Sequence, residues 1–133
     1  MTHDTRLMLG ITLITVPTII YGGLVLLYLV SSGAAGTRVP IELNPTQKAL
    51  YRAGHAHAGV LVILSLILQI CVDHASLGAL DWLVRIFAPL SAILVSGGFF
   101  GLAHKPNFRY MIYTGAGMVA LATVITGIGL LGR

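Results

Sequence analysis

Charge is what this 133-residue chain has least of. Only 9% of its residues are Asp, Glu, Lys or Arg, against about a quarter in an ordinary soluble domain. Acidic residues number four, and the single glutamate, Glu42, lies outside every long apolar stretch. A proton-coupled transporter usually keeps a carboxylate within its membrane core, and that signature is missing here. With one cysteine, Cys71, an intramolecular disulfide and a multi-cysteine metal site are excluded; a small apolar packing residue is its simplest reading. There is no Ser/His/Asp arrangement, no phosphate-binding glycine loop and no CxxCH haem attachment.

What the chain has instead is apolar length. Hydrophobic residues make up 56% of it, and the mean hydropathy is +0.92. A bilayer-spanning helix needs about 20 residues, and four runs supply them: Leu7–Val30, Ala49–Val72, Leu80–Ala103 and Tyr110–Leu131. The sequence therefore predicts an all-α, integral membrane four-helix transmembrane bundle forming a single domain. The small residues Ser31 to Ala35 resemble a signal-peptide cleavage site. The run before them is longer than the about 7–15 residues of such a peptide, so a retained span is expected.

Four spans put both termini and the second loop on one face, side A, and the first and third loops on side B. Arg6, Arg85 and Arg133 fall on side A; Arg38, Lys48, Arg52, Lys105 and Arg109 fall on side B. The excess leans side B towards the cytoplasm of a cell membrane. A net charge of +4 on such a chain needs only anionic headgroups as partners, not nucleic acid.

Punctuation is clear at the loops. Gly33, Gly36, Pro40 and Pro45 argue against regular structure in most of the first loop, and Asn44-Pro45 reads as a cap and first residue of helix 2. The second loop is short enough to make helices 2 and 3 antiparallel neighbours, and Pro106-Asn107 makes the third turn. Pro17 and Pro89 lie inside helices 1 and 3, where each removes a backbone hydrogen bond. The small-residue pairs Gly54/Ala58, Ala92/Ser96 and Gly97/Gly101, with Gly115, Gly117, Gly127 and Gly129, predict close helix packing or oligomer contacts.

The stretch Tyr51-Arg52-Ala53-Gly54-His55-Ala56-His57-Ala58-Gly59 is the one that could carry chemistry. It opens the second span from side B, and a rise of about 1.5 Å per residue sets its imidazoles roughly 9–12 Å deep. Ionisable groups at that depth face a partner or a cavity, and the Ala and Gly neighbours leave room beside them. Residues i and i+2 on a helix are about 200° apart, so His55 and His57 cannot ligate one metal from a regular helix. Either they serve two sites on opposite faces, or one faces the bundle and the other a neighbouring subunit, unless a local π-bulge brings them together; a metal site then needs ligands from other helices. His104, at the end of helix 3 on the same side, is the best placed, with Tyr51, Tyr110 and Tyr113 at that level. Imidazole suits haem iron, copper and zinc. Interhelical hydrogen bonding is the plainer reading of the same histidines.

A second polar group, His3, Asp4, Cys71, Asp73, His74 and Asp81, gathers on side A, where loops at a membrane face are polar in any case. Trp82, Tyr28 and Tyr110 fit an interfacial aromatic belt. Arg85, four residues after Asp81, is expected to form an exposed ion pair with it.

His55-Ala56-His57-Ala58-Gly59-Val60-Leu61 resembles the histidine-bearing helices of haem–copper oxidase and nitric oxide reductase catalytic subunits. In that family an HxH on one helix ligates two haems from opposite faces. The chain also resembles small bacterial four-helix membrane proteins with an HxH near the start of the second span. It is far shorter than the twelve-helix oxidases and lacks their other histidine helices, so the resemblance carries only His55 and His57 across, as haem ligands. The leading expectation is a small redox-associated membrane protein binding haem b or a transition metal (Cu, Fe or Zn). Its candidate ligands are His55, His57 and His104, with Tyr51 and Arg52 beside the cofactor, in a homo-oligomer or a subunit of a membrane complex. A channel or transporter for a small solute or ion, and a structural accessory subunit, are the alternatives.

Overall fold

The computed structural model describes residues 1–31 and 42–132. Most of the first loop, with Arg38, and the terminal Arg133 lie outside the described residues. Four long helices follow one another: α1 (His3–Ser31), α2 (Pro45–Val72), α3 (Asp81–Leu102) and α4 (Arg109–Leu131). Short 3-10 turns, Gly78–Leu80 and Pro106–Phe108, lead into α3 and α4. No strand occurs among the described residues. All four helices are long and apolar enough to cross a membrane.

The start of α2 is set as the sequence implies. Asn44 accepts from the Gln47 amide at 2.8 Å, the Gln47 side chain accepts from the Asn44 amide at 3.0 Å, and Pro45 is the first helical residue. This reciprocal capping satisfies two of the donors that a helix N-terminus leaves open. Gln47 also donates Nε2–H to the Ala103 carbonyl at 3.0 Å, tying the start of α2 to the end of α3. At the opposite end Gly78 turns the chain with φ +56°, a conformation that costs an L side chain energy.

Helices α2, α3 and α4 form the packed centre, with α1 laid against α2. Leu68, Val72, Val84, Ala88 and Ala122 make one buried cluster, and Leu61, Val62, Ala92 and Val95 make the next one along the bundle. Several of the small residues allow this approach. A Cβ at Gly101 would collide with the Phe108 ring, and one at Gly115 would reach Leu94 and Val95 at 2.8–3.0 Å. Gly117 and Gly127 face open space instead. The α2–α3 connection folds over the end of α4, where the Ser76 amide donates to the Gly129 carbonyl at 3.2 Å.

Candidate functional site

The HxH histidines point into different surroundings, as their spacing on a regular helix requires. His55 is half-buried and faces α1. Its Cε1/Nε2 edge lies so close to Gly23 that a Cβ there would come within 2.9 Å of both atoms. It makes no hydrogen bond to any described residue. His57 is on the exposed side of α2. Its ring stacks on Phe99 with centroids 4.9 Å apart, and Nδ1–H donates to the Ala53 carbonyl at 2.7 Å. That bond fixes the tautomer and leaves Nε2 as the lone-pair nitrogen of the neutral ring.

His104 takes a third direction. It shares a 2.9 Å hydrogen bond with the Tyr51 hydroxyl through Nε2, and the two rings meet edge to face. Tyr51 packs against Phe100 as well, centroids 5.5 Å apart. Arg52 is exposed at the start of the same helix. The fold thus joins Tyr51 to His104 and gives His55 and His57 separate neighbourhoods. Among the described residues no three His, Cys, Asp or Glu side chains gather closely enough to hold a metal ion.

Beside His55 runs a cavity of about 290 Å³ between α1, α2 and α3. Gly22, His55 and Phe100 stand at one end and Ile11 and Pro89 at the other, with Ala58 and Ala92 along the walls. Thr12, Thr15 and Thr18 line it too, but each hydroxyl donates back into its own helix, to Met8, Thr12 and Thr15 carbonyls at 2.6–2.8 Å. Ser96 does not: its hydroxyl is buried without a partner among the described residues. Ile11 and Ile93, at 51% and 64% exposure, show that the cavity opens sideways to the outer surface.

The side-A polar group forms a different construction from the one expected. Arg85 is not exposed: its side chain is 2% accessible. Nε donates to Asp81 Oδ2 at 2.7 Å, Nη2 to Asp73 Oδ1 at 3.0 Å, and Nη1 to Thr5 Oγ1 at 2.8 Å and Gln69 Oε1 at 3.3 Å. The correction arises because α1 and the end of α2 close over the α3 pair, and a helix read alone cannot show that. Asp73 also accepts from the Thr2 amide, the Thr2 hydroxyl and the Thr5 hydroxyl, which seats it at the N-terminus of α1, where the helix dipole favours an anion. Burial pushes the Asp73 carboxyl up, but the hydrogen bonds from Thr5, Thr2 and Arg85 together outweigh it and hold the group well below the usual carboxylate range. His3, Asp4 and His74 stay outside this network: His3 and Asp4 face each other at 3.5 Å near the surface, and His74 is exposed.

Sequence reading missed Gln69, Thr5 and Ser96. A signal for the first existed: Gln69/Asp73 and Asp81/Arg85 are i,i+4 pairs on the facing ends of two antiparallel helices, and polar pairs so placed seek one another.

Comparison with protein-family models, with curated proteins and with solved structures returned no match. The functional reading rests on the geometry of the chain itself.

Proposed function

We propose that this chain is a multi-pass cell-membrane protein that binds a lipid-soluble small molecule in the cavity beside His55. The observation that supports this reading most is the His55 imidazole, without a hydrogen bond to any described residue, at one end of a mostly apolar cavity that opens to the outer surface of the bundle. Ligand sites are commonly apolar concavities with a few polar groups that orient the occupant, and an ionisable residue within a span is a functional candidate by default. Placing side B in the cytoplasm fits the same picture, because Arg85 is neutralised inside the bundle and adds nothing to the positive charge of side A.

A second reading keeps the haem b or transition-metal expectation and rests on His57. Histidine ligands characteristically donate their second ring N–H to a carbonyl or carboxylate. His57 does so to Ala53, leaving Nε2 free on an exposed face. Tyr51 and His104 bond to each other and serve neither ring. Among the described residues none joins His57 as a ligand, so a cofactor there is held by His57 alone or with a residue of another chain, in a homo-oligomer or a larger membrane complex.

Purification in mild detergent, followed by an absorption spectrum, metal analysis and mass spectrometry of the organic extract, tests both. A co-purifying organic compound lost in His55→Ala supports the cavity reading. A Soret band or stoichiometric metal lost in His57→Ala, and retained in His55→Ala, replaces it with the cofactor reading. A folded protein with neither sinks both.

A further inference from the structure

The cavity has a direction as well as a volume. Its lining on α1 runs from Ile11 to Gly22 and on α3 from Pro89 to Phe100. Each is an advance of 11 residues, so the space extends for about 16 Å parallel to the helices. A volume of about 290 Å³ spread over that length, open along one side, describes an elongated groove that suits a chain better than a disc. The polar groups crowd at one end. His55 stands at the side-B mouth, and Ser96 lies one helical turn inside Phe100, about 6 Å deeper. Beyond them the free hydrogen-bonding capacity falls away, since the three threonine hydrogens are used within α1. Arg52, three residues before His55 on α2 and so nearer side B, is exposed and does not line the cavity.

We infer that the occupant is a single-chain amphiphile with a hydrogen-bond-accepting oxygen head, of the carboxylate or carbonyl kind. The head sits at His55 and the chain runs inward between α1 and α3 towards Pro89. This rests on the cavity reading above and narrows it to a ligand class. Shape selects one chain over two, and His55 and Ser96 are the lining residues whose polar atoms make no hydrogen bond to a described residue and so remain for the head. A buried hydroxyl without a partner is the kind of group that a ligand oxygen satisfies. The positive charge of Arg52, one helical turn nearer side B, favours an anionic head over a neutral one without a direct contact. Entry is lateral, because Ile11, Thr15 and Ile93 border the cavity from exposed positions.

The test uses the full chain in lipid nanodiscs and two photoactivatable probes with the same mid-chain diazirine: palmitic acid, and a phosphatidylcholine carrying that acyl chain. Labelling of α1 and α3 is read against labelling of the outer face of α4 at Leu121, Val124 and Ile128, exposed positions away from the cavity. Palmitic acid is expected to label α1 and α3 about tenfold more than α4, and the phospholipid to label all three alike. His55→Leu, which removes the head contact, and Thr15→Trp, which fills the groove from an exposed position, are each expected to bring the palmitic acid ratio near one. Equal labelling by palmitic acid in the unmodified protein overturns the inference, as does preference for the phospholipid. So does a palmitic acid ratio indifferent to either substitution. A different compound that co-purifies and is lost in His55→Ala, with a palmitic acid ratio of one, overturns the chain-shaped occupant and leaves the His55 cavity standing.

Discussion

Gln69 donates its side-chain Nε2–H to the backbone carbonyl of Arg85 at 2.8 Å. In a regular helix that carbonyl accepts from the amide four residues later, and residue 89 is a proline with no N–H to give. The α2 side chain therefore satisfies the acceptor that Pro89 orphans inside α3. The same side chain accepts from Arg85 Nη1 at 3.3 Å, so one glutamine serves both the backbone and the guanidinium of one residue. The helix break and the buried cation are in this way parts of one arrangement.

Replacing Gln69 with Leu leaves the Arg85 carbonyl buried without a donor, and the expected cost is about 1–3 kcal/mol. Pro89→Ala restores an amide at the missing position. The double variant should recover most of the loss, giving a coupling of about 1 kcal/mol or more in a double-mutant cycle. Unfolding monitored by circular dichroism in a fixed detergent measures all four proteins. Additive effects would separate the two residues.

Arg85 holds two carboxylates, so its removal should be the most damaging single change at this end of the bundle. Arg85→Met takes from Asp73 and Asp81 the guanidinium they share and is expected to destabilise by about 3–5 kcal/mol. Thr5→Val removes one hydroxyl from the network and should cost about 1 kcal/mol. Thermal unfolding of the two variants in one detergent orders them, and an Arg85→Met protein as stable as the parent would contradict the network.

The depressed Asp73 carboxyl makes stability depend on pH in a definite sense. A group whose folded pKa lies below its unfolded value contributes fully above the unfolded value, about 3.9 for aspartate, and loses that contribution as pH falls through the folded one. The protein should hold its unfolding midpoint with respect to Asp73 from neutral pH down to about 4. Below that it should lose stability progressively as protons compete with Thr2, Thr5 and Arg85. Asp73→Asn should flatten that acid limb and lower the neutral plateau. Midpoints recorded from pH 7 to pH 2.5 on both proteins check the sign.

Two glycine positions separate close packing from open surface. Gly101→Ala drives a methyl into the Phe108 ring and should destabilise by about 1–3 kcal/mol, as overpacking does. Gly117→Ala meets nothing within 4 Å and should be neutral, or stabilising by up to about 1 kcal/mol. Unfolding midpoints of the two alanine variants suffice, and reversal of their order would show that the α3–α4 approach is set differently.

The four apolar helices, their order and the capped start of α2 were legible in the residues. Runs of some 20 apolar residues are a local property, and Asn44-Pro45 marks a helix start from its own residues. The opposite facing of His55 and His57 was legible for the same reason, since about 100° per residue decides it before any neighbour is known. Only the tertiary arrangement could decide what each imidazole meets: Gly23 for His55, Phe99 for His57, Tyr51 for His104. The same holds for Arg85, read along the chain as an exposed partner of Asp81 and found buried among Thr5, Gln69 and Asp73. Those partners lie 12 to 80 positions away. Sequence periodicity reports the face on which a side chain leaves its own helix, whereas the partner depends on how three helices are placed, and packing alone sets that.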